Sequence, residues 1–314
     1  MKSLIKILAI TLSIVGFFSL IAIIFIVFFD DNLFKWSYKI DPSVANNIGA
    51  FVAGIVGTLF SGAAFFLLYL NLYQSDQNSF ENRLYSMLHL LNEKIKLTTG
   101  YEGFENKKKS EPIEGLEFFE KSIDYFNSFL QNYTRSDDFK KNEDKKFKTI
   151  SELFAKFDIN SVNKKPIDIE INYQLLREYI DAKYQQFYHF RKLQLGHYFR
   201  YLYRIVKIID GKKDLSFKEK KKYVDIIQAQ MSNAELGLVF YNCISINGYK
   251  RFFPLINKYS FLENMDKSYI TYPYFLANLY DKIKFKFLDK ERKPAKIILP
   301  FEKIDYSKYS GKKN

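Results

Sequence analysis

The chain has 314 residues, 47% of them hydrophobic, yet its mean hydropathy is only -0.22, so the apolar side chains must be concentrated in part of it. Lys and Arg (48) outnumber Asp and Glu (35) for a net charge of +13, which suits an anionic partner: lipid head groups, nucleic acid or an acidic protein. The single cysteine, Cys243, excludes an intramolecular disulfide and a cysteine-based zinc site, and the low Gly and Pro content with 32 Phe and 24 Tyr argues against extended disorder.

The first element is an uncharged stretch from Ile7 to Phe29. At about 1.5 Å per residue it reaches roughly 34 Å, enough to cross a bilayer with some tilt. Phe28, Phe29 and Asp30 close it where a secretory signal would place small residues, so it reads as an uncleaved anchor. A second span is expected over residues 47–70, with Trp36 and Tyr38 before it and Tyr69 and Tyr73 at its far end, where amphipathic rings settle at an interface. Lys2 and Lys6 flank the first span, whereas the loop between the spans, with Asp30, Asp31 and Asp41 against Lys35 and Lys39, is slightly acidic. The positive-inside rule then puts both termini in the cytoplasm.

Small residues form two rows at spacing four in the second span: Ala50, Gly54, Thr58 and Gly62, and Ala53, Gly57 and Ser61. Such rows let helices approach closely. Two partners fit: the first span of the same chain, or another subunit in a homo-oligomer. Neither span holds an ionisable residue, which argues against an ion or proton relay of the transporter kind.

Beyond the anchor, residues 1–75, the apolar residues recur at helical spacing, and the fold class is all-α, with a cytoplasmic helical domain over residues 76–300. A helix from Asp76 to Thr98 has Phe80, Leu84, Met87, Leu88 and Leu91 on one side and can continue from the second span. After a break at 99–112, a helix near Pro112 to Tyr133 shows Leu116, Phe119, Ile123, Phe126 and Leu130 at steps of three and four. The charged stretch from Arg135 to Lys148 reads as exposed, and Pro166 marks a connection. The longest pattern runs from Asn172 to Asp210, with Leu195, Tyr198, Phe199, Leu202, Val206 and Ile209 on one stripe, and Asp210-Gly211 stops it. Ser216 and Glu219 form a capping box for a helix reaching Ser245. Further helices are drawn from Tyr249 to Tyr259 and from Pro273 to Leu288, and residues 301–314 form a basic, flexible tail.

Two segments carry a resemblance. One is Leu195-Gly196-His197-Tyr198-Phe199-Arg200-Tyr201-Leu202-Tyr203-Arg204, continuing to Ile209-Asp210. The other is Gln228-Ala229-Gln230-Met231-Ser232-Asn233-Ala234-Glu235-Leu236, running into Phe240-Tyr241-Asn242. Together with Phe80-Glu81 and Leu88 behind a two-helix anchor, they resemble the phage abortive infection family that includes abortive infection protein C. Residues 100–165 match poorly, with Gly115 and Phe118 as remnants. The resemblance implies a role in defence, in which the infected cell arrests before phage multiplies.

Three readings of the motif residues follow. In the first, His197 and Arg200 pair with Glu235, or hydrogen-bond Gln230 and Asn242, in a polar network that fixes helix register. In the second, Arg200 and Arg204 receive an anionic group. In the third, Arg191 and His197, like Arg83 and His89, resemble the Arg-x(4–6)-His motif of the HEPN ribonucleases, with His as general acid or base and Arg stabilising the phosphorane. No Gly-rich phosphate loop or nucleophile elbow occurs, and three His with one Cys leave no metal or cofactor site in view.

The sequence therefore reads as a non-enzymatic, multi-pass inner-membrane defence protein. Its cytoplasmic domain senses a phage-derived trigger, and its anchor, alone or as a homo-oligomer through the second span, disturbs the lipid bilayer. The alternatives are a membrane-tethered ribonuclease acting on nucleic acid and a non-catalytic adaptor that recruits a partner.

Overall fold

A computed structural model of the chain describes residues 2–29, 42–101, 111–135, 173–280 and 282–287. The loop aromatics Trp36 and Tyr38, the charged stretch 136–148, Pro166 and the tail 301–314 lie outside them. Apart from two two-residue strands, the regular elements among the described residues are helices. By contacts the chain falls into two compact units, Met1–Ser86 and Met87–Asn314.

The first unit holds α1 (Lys2–Phe29), α2 (Pro42–Phe51), a π-helical turn (Val52–Val56) and the first part of α3 (Gly57–Lys96). It contains two helices long and apolar enough to cross a membrane, and only 11% of each apolar window is buried within the protein. Phe18 and Phe65 are 64% and 66% exposed, a surface that lipid tolerates and water does not. Hydroxyls within the spans bond back along their own helix, Thr11 to the Ile7 carbonyl at 2.9 Å and Ser19 to that of Val15 at 2.8 Å. That arrangement satisfies them without water. The two helices meet through small residues of the first as well as the second: Ala9, Val56 and Ala63 are buried, and a Cβ on Gly16 would lie 3.3 Å from the Phe60 ring.

The second unit is built around one helix. In α7 (Asn233–Ile244) every residue from Ala234 to Ile244 is buried, and it packs on α4 (Gly115–Arg135) and α5 (Tyr173–Gly211). Phe126 of α4 stands at the centre, its ring 5.5 Å from Tyr184, 5.0 Å from Phe187 and 4.7 Å from Tyr241. Aromatic contacts of this kind add about 0.5–1.5 kcal/mol each beyond the area they bury. The stripe on α5 is buried as its spacing predicts. On α4, Phe118 turns inward and Leu116 is 53% exposed, and the helix starts at Gly115, three residues after Pro112, where a short antiparallel ladder ends. That ladder pairs β1 (Thr99–Gly100) with β2 (Ile113–Glu114). Gly115 follows at φ +59°, a left-handed turn that glycine adopts without strain, and its N–H donates to the Thr98 carbonyl at 2.9 Å.

The helix expected from Ser216 to Ser245 is two helices. α6 (Phe217–Ala229) opens on the Ser216–Glu219 capping box, and α7 opens on a second one, Ser232–Glu235. In the second box the Glu235 N–H donates to Ser232 Oγ and the Ser232 N–H to Glu235 Oε2, so the chain gains two bonds by breaking at Gln230–Ser232. The C-terminal helices are also shorter than expected: α8 covers Phe253–Lys258, and α9 covers Pro273–Leu276 before a 3-10 turn at Ala277–Leu279. Beyond it the chain is held by its aromatics rather than by helix bonds, with the Tyr280 hydroxyl donating to the Phe240 carbonyl at 2.7 Å and Phe285 buried.

A buried amide joins α4 to this C-terminal region. Asn127 Oδ1 accepts from the Tyr241 hydroxyl at 3.0 Å and from Thr271 Oγ1 at 2.9 Å, while Asn127 Nδ2 donates to the Tyr269 carbonyl at 3.2 Å. The Tyr241 hydroxyl in turn accepts the Thr271 N–H at 2.8 Å.

Candidate functional site

The outer side of α5 carries the exposed residues of the first motif. From Gln186 its exposed positions recur at steps of four and three, through Phe190 and Leu193 to His197, Arg200, Arg204 and Lys207. That stripe changes character along its length. Phe190 and Leu193 are 59% and 70% exposed, and the four residues after them are an imidazole and three cations. Arg200 Nε donates to the Gly196 carbonyl at 2.9 Å, and its terminal nitrogen lies 3.3 Å from His197 Nδ1. Those contacts hold one edge of the guanidinium and leave the rest facing outward. Among the described residues neither Arg200 nor Arg204 has a carboxylate partner. Lys207 lies over the Tyr203 ring at 5.6 Å.

The helix can present this stripe because its other side is locked. A Cβ on Gly196 would lie 2.7 Å from the Tyr188 hydroxyl and would displace it from its place along the helix, where the Tyr188 ring stacks on Tyr184 at 5.7 Å. Tyr198 points inward against Phe119 at 4.9 Å, and its hydroxyl donates to Glu235 Oε1 at 2.7 Å. Both carboxylate oxygens of Glu235 are thus engaged, one by Tyr198 and the other by the Ser232 N–H. Burial raises the Glu235 carboxyl above the usual carboxylate range, against the pull of the Ser232 and Tyr198 hydrogen bonds.

The residues drawn from the motifs therefore separate into two groups. His197, Arg200, Arg204 and Gln230 are exposed, whereas Glu235 and Asn242 are buried. Glu235 takes Tyr198 rather than Arg200 or His197, and Asn242 donates to the Tyr184 hydroxyl at 3.3 Å. Gln230 caps the end of α6 through its backbone N–H.

Arg191 and His197 do not converge within the chain. Six residues on one helix turn through about 600°, which leaves two side chains on different faces. Arg191 is 4% exposed, with Nε donating to Ser122 Oγ at 3.1 Å and the Tyr125 and Phe187 rings each 5.1 Å away. Burial lowers its pKa from the ordinary arginine value. Its position ties α5 to α4. Cys243 is fully buried and its thiol is pushed up by desolvation, the opposite of what a nucleophile requires. Among the described residues no group of His, Cys, Asp or Glu is placed to hold a metal ion.

In the first unit, the π turn rearranges the small-residue rows. The Gly57 N–H bonds the Val52 carbonyl, five residues back. An unbroken row at spacing four drifts by about 40° per step, and the extra residue in a π turn removes about 100° of rotation. Ala50, Gly54, Thr58 and Gly62 are thereby brought close to one line, and so are Ala53, Gly57 and Ser61. Ala50, Ala53, Gly54, Thr58 and Ser61 are exposed, Gly57 and Gly62 are partly covered, and a Cβ on Gly62 would meet Leu12 at 3.7 Å.

Sequence reasoning missed Phe190, Leu193 and Lys207, which follow the same four-three step as His197, Arg200 and Arg204 and were visible by that spacing. It also missed Asn127 and Ser122, which no periodicity marks.

Comparison with known proteins adds one finding. Residues 191–270 match the family model described as "Putative phage abortive infection protein". The match spans the cationic half of the α5 stripe, both capping boxes and α8. No curated protein and no solved structure matches the chain.

Proposed function

We propose, with the match over residues 191–270 as the premise, that the chain is a membrane-anchored abortive infection protein that works without an enzymatic turnover step. Its helical domain lies in the cytoplasm, with both termini on that side of the inner membrane. The outer stripe of α5 receives the infection cue: apolar side chains at Phe190 and Leu193 provide contact area, and His197, Arg200 and Arg204 pair with an anionic group on the cue. Engagement shifts the anchor, whose oligomer disturbs the bilayer and arrests the host.

The observation that carries this reading is the division of the motif. Its buried members, Tyr198 and Glu235, are used up in holding helices together, while its cations stand outward with donors to spare. A group that only stabilised the fold would not be left exposed on the face opposite the core.

Membrane potential recorded during phage infection tests the proposal. Cells carrying the intact protein should depolarise before lysis, and cells carrying Arg200→Glu should not. A potential that stays intact while the host arrests would rule out the membrane step.

A further inference from the structure

The face of α3 opposite its buried side has an unusual composition. Phe80, Leu84, Leu88, Leu91 and Ile95 form the buried side. Opposite them a line of exposed residues steps by three and four: Ser61, Ala64 and Leu68, then Asn71, Ser75, Asn78 and Asn82. Alternating steps of three and four over three heptads are the period of a coiled-coil seam. The line covers about 32 Å of helix. Its second half surrounds an open groove that Gln74 and Ser79 complete.

The seam has no charge. In a protein with 26% charged residues, an exposed helical face past the end of a span is ordinarily where the charges go. Here Asp76 and Arg83 lie about 100° from the adjacent seam residues Ser75 and Asn82, and Glu81, about 60° from Asn78, flanks the seam rather than lying on it. The seam carries amides and a hydroxyl instead, and among the described residues the side chains of Asn71, Ser75, Asn78 and Asn82 have no hydrogen-bond partner.

We infer that this seam is where a second copy of the chain docks, parallel and in register. Two copies inserted in one membrane share one orientation and one depth, so each residue of α3 meets itself. An amide is both donor and acceptor and can bond its own copy, which a lysine or a glutamate cannot do without repulsion. Asn at a coiled-coil seam fixes register and strand number, at some cost in stability. Ser61 and Ala64 lie on the same line and let the helices close up within the apolar part. A different protein as occupant would leave no reason for every exposed position on one line to be self-complementary.

The inference rests on the membrane-anchored reading only in requiring that copies share an orientation. It places the specificity of assembly in Asn71–Asn82 rather than in the glycine row.

Disulfide scanning of the full-length protein in native membranes tests it. Cys243 is buried and serves as the silent background. Single cysteines at Asn71, Ser75, Asn78 and Asn82, with Asp76 and Arg83 as off-seam positions, are oxidised with copper phenanthroline and resolved without reductant. Cross-linked homodimer should be several-fold more abundant at the four seam positions than at the two others, and Asn78→Lys should reduce it at Asn71→Cys. A flat profile overturns the inference, as does cross-linking to another chain, or a yield that appears only when cysteine is placed at Gly54 or Gly57. Plaque counts on the same strains separate the two ideas: loss of the periodic profile with protection intact removes the seam and leaves the defence reading standing.

Discussion

Replacing Asn127 by leucine should damage the protein well beyond what its size suggests. The two side chains have similar volumes, so no cavity is created, and the cost is electrostatic. Leucine leaves the Tyr241 hydroxyl without its acceptor, the Tyr269 carbonyl without its donor, and the Thr271 hydroxyl with only the distant Asn127 carbonyl at 3.5 Å. A buried polar group left unsatisfied costs about 1–3 kcal/mol, so the sum is on the order of 3 kcal/mol after local relaxation. For a domain of this size that corresponds to roughly 6–12 °C in melting temperature. Tyr241→Phe keeps the ring against Phe126 and removes one partner, so about 1 kcal/mol is expected. The double variant N127L/Y241F should cost less than the sum of the two, because the phenylalanine no longer carries the hydroxyl that leucine strands. Thermal unfolding of the detergent-solubilised full chain, followed by near-ultraviolet circular dichroism, measures all three. An Asn127→Leu protein melting within about 2 °C of the wild type would refute the reasoning.

Other outcomes can be stated more briefly. Glu235 has its carboxyl raised by burial, and such a group contributes stability that is full below its unfolded pKa and lost as pH rises through its folded one. The wild type should therefore gain stability relative to Glu235→Gln as pH is lowered from 7 towards about 4.3, and parallel melting curves across that range would contradict it. Gly196→Ala should lower the melting temperature by pushing the Tyr188 hydroxyl aside, and adding Tyr188→Phe should restore part of the loss. R200E/R204E should abolish protection in a plaque assay while leaving the melting temperature within about 2 °C, since both side chains are exposed. His197→Ala should leave RNA intact or cut to the same extent as wild type in a purified assay, and a cleavage activity that this variant abolishes would favour the ribonuclease alternative. Removing residues 1–75 should end protection, and a truncated chain that still protects would make the anchor irrelevant.

Much of the architecture follows from periodicity, and the departures have physical causes. The α5 pattern spans 39 residues with apolar positions recurring throughout, and its observed bounds differ by a residue at each end from those expected. The Ser216–Glu219 box was readable because Asp210-Gly211 clears the way for it. The equivalent Ser232–Glu235 box went unread because apolar spacing continues across it, through Ile227, Met231 and Ala234, and periodicity has no term for a serine that captures a backbone N–H. The stretch after Pro273 misled for a related reason: Leu276, Leu279, Tyr280 and Ile283 recur at helical steps, yet tertiary partners for Tyr280 and Phe285 outweigh helix bonds there. Which polar residues of the motif face inward was the hardest part. Tyr198 and Arg200 are two positions apart, and only the presence of α7 on one side decides that the first meets Glu235 and the second meets solvent.

The wide turn at Val52–Val56 gives the second apolar helix a tolerance that the rest of it lacks. Deleting one residue there would tighten the loop of backbone to the ordinary pitch, and the sequence downstream would keep every side chain on its present bearing. The same deletion made a few positions later would spin the entire apolar length by about 100°. Length variation among kindred sequences should gather at that one turn.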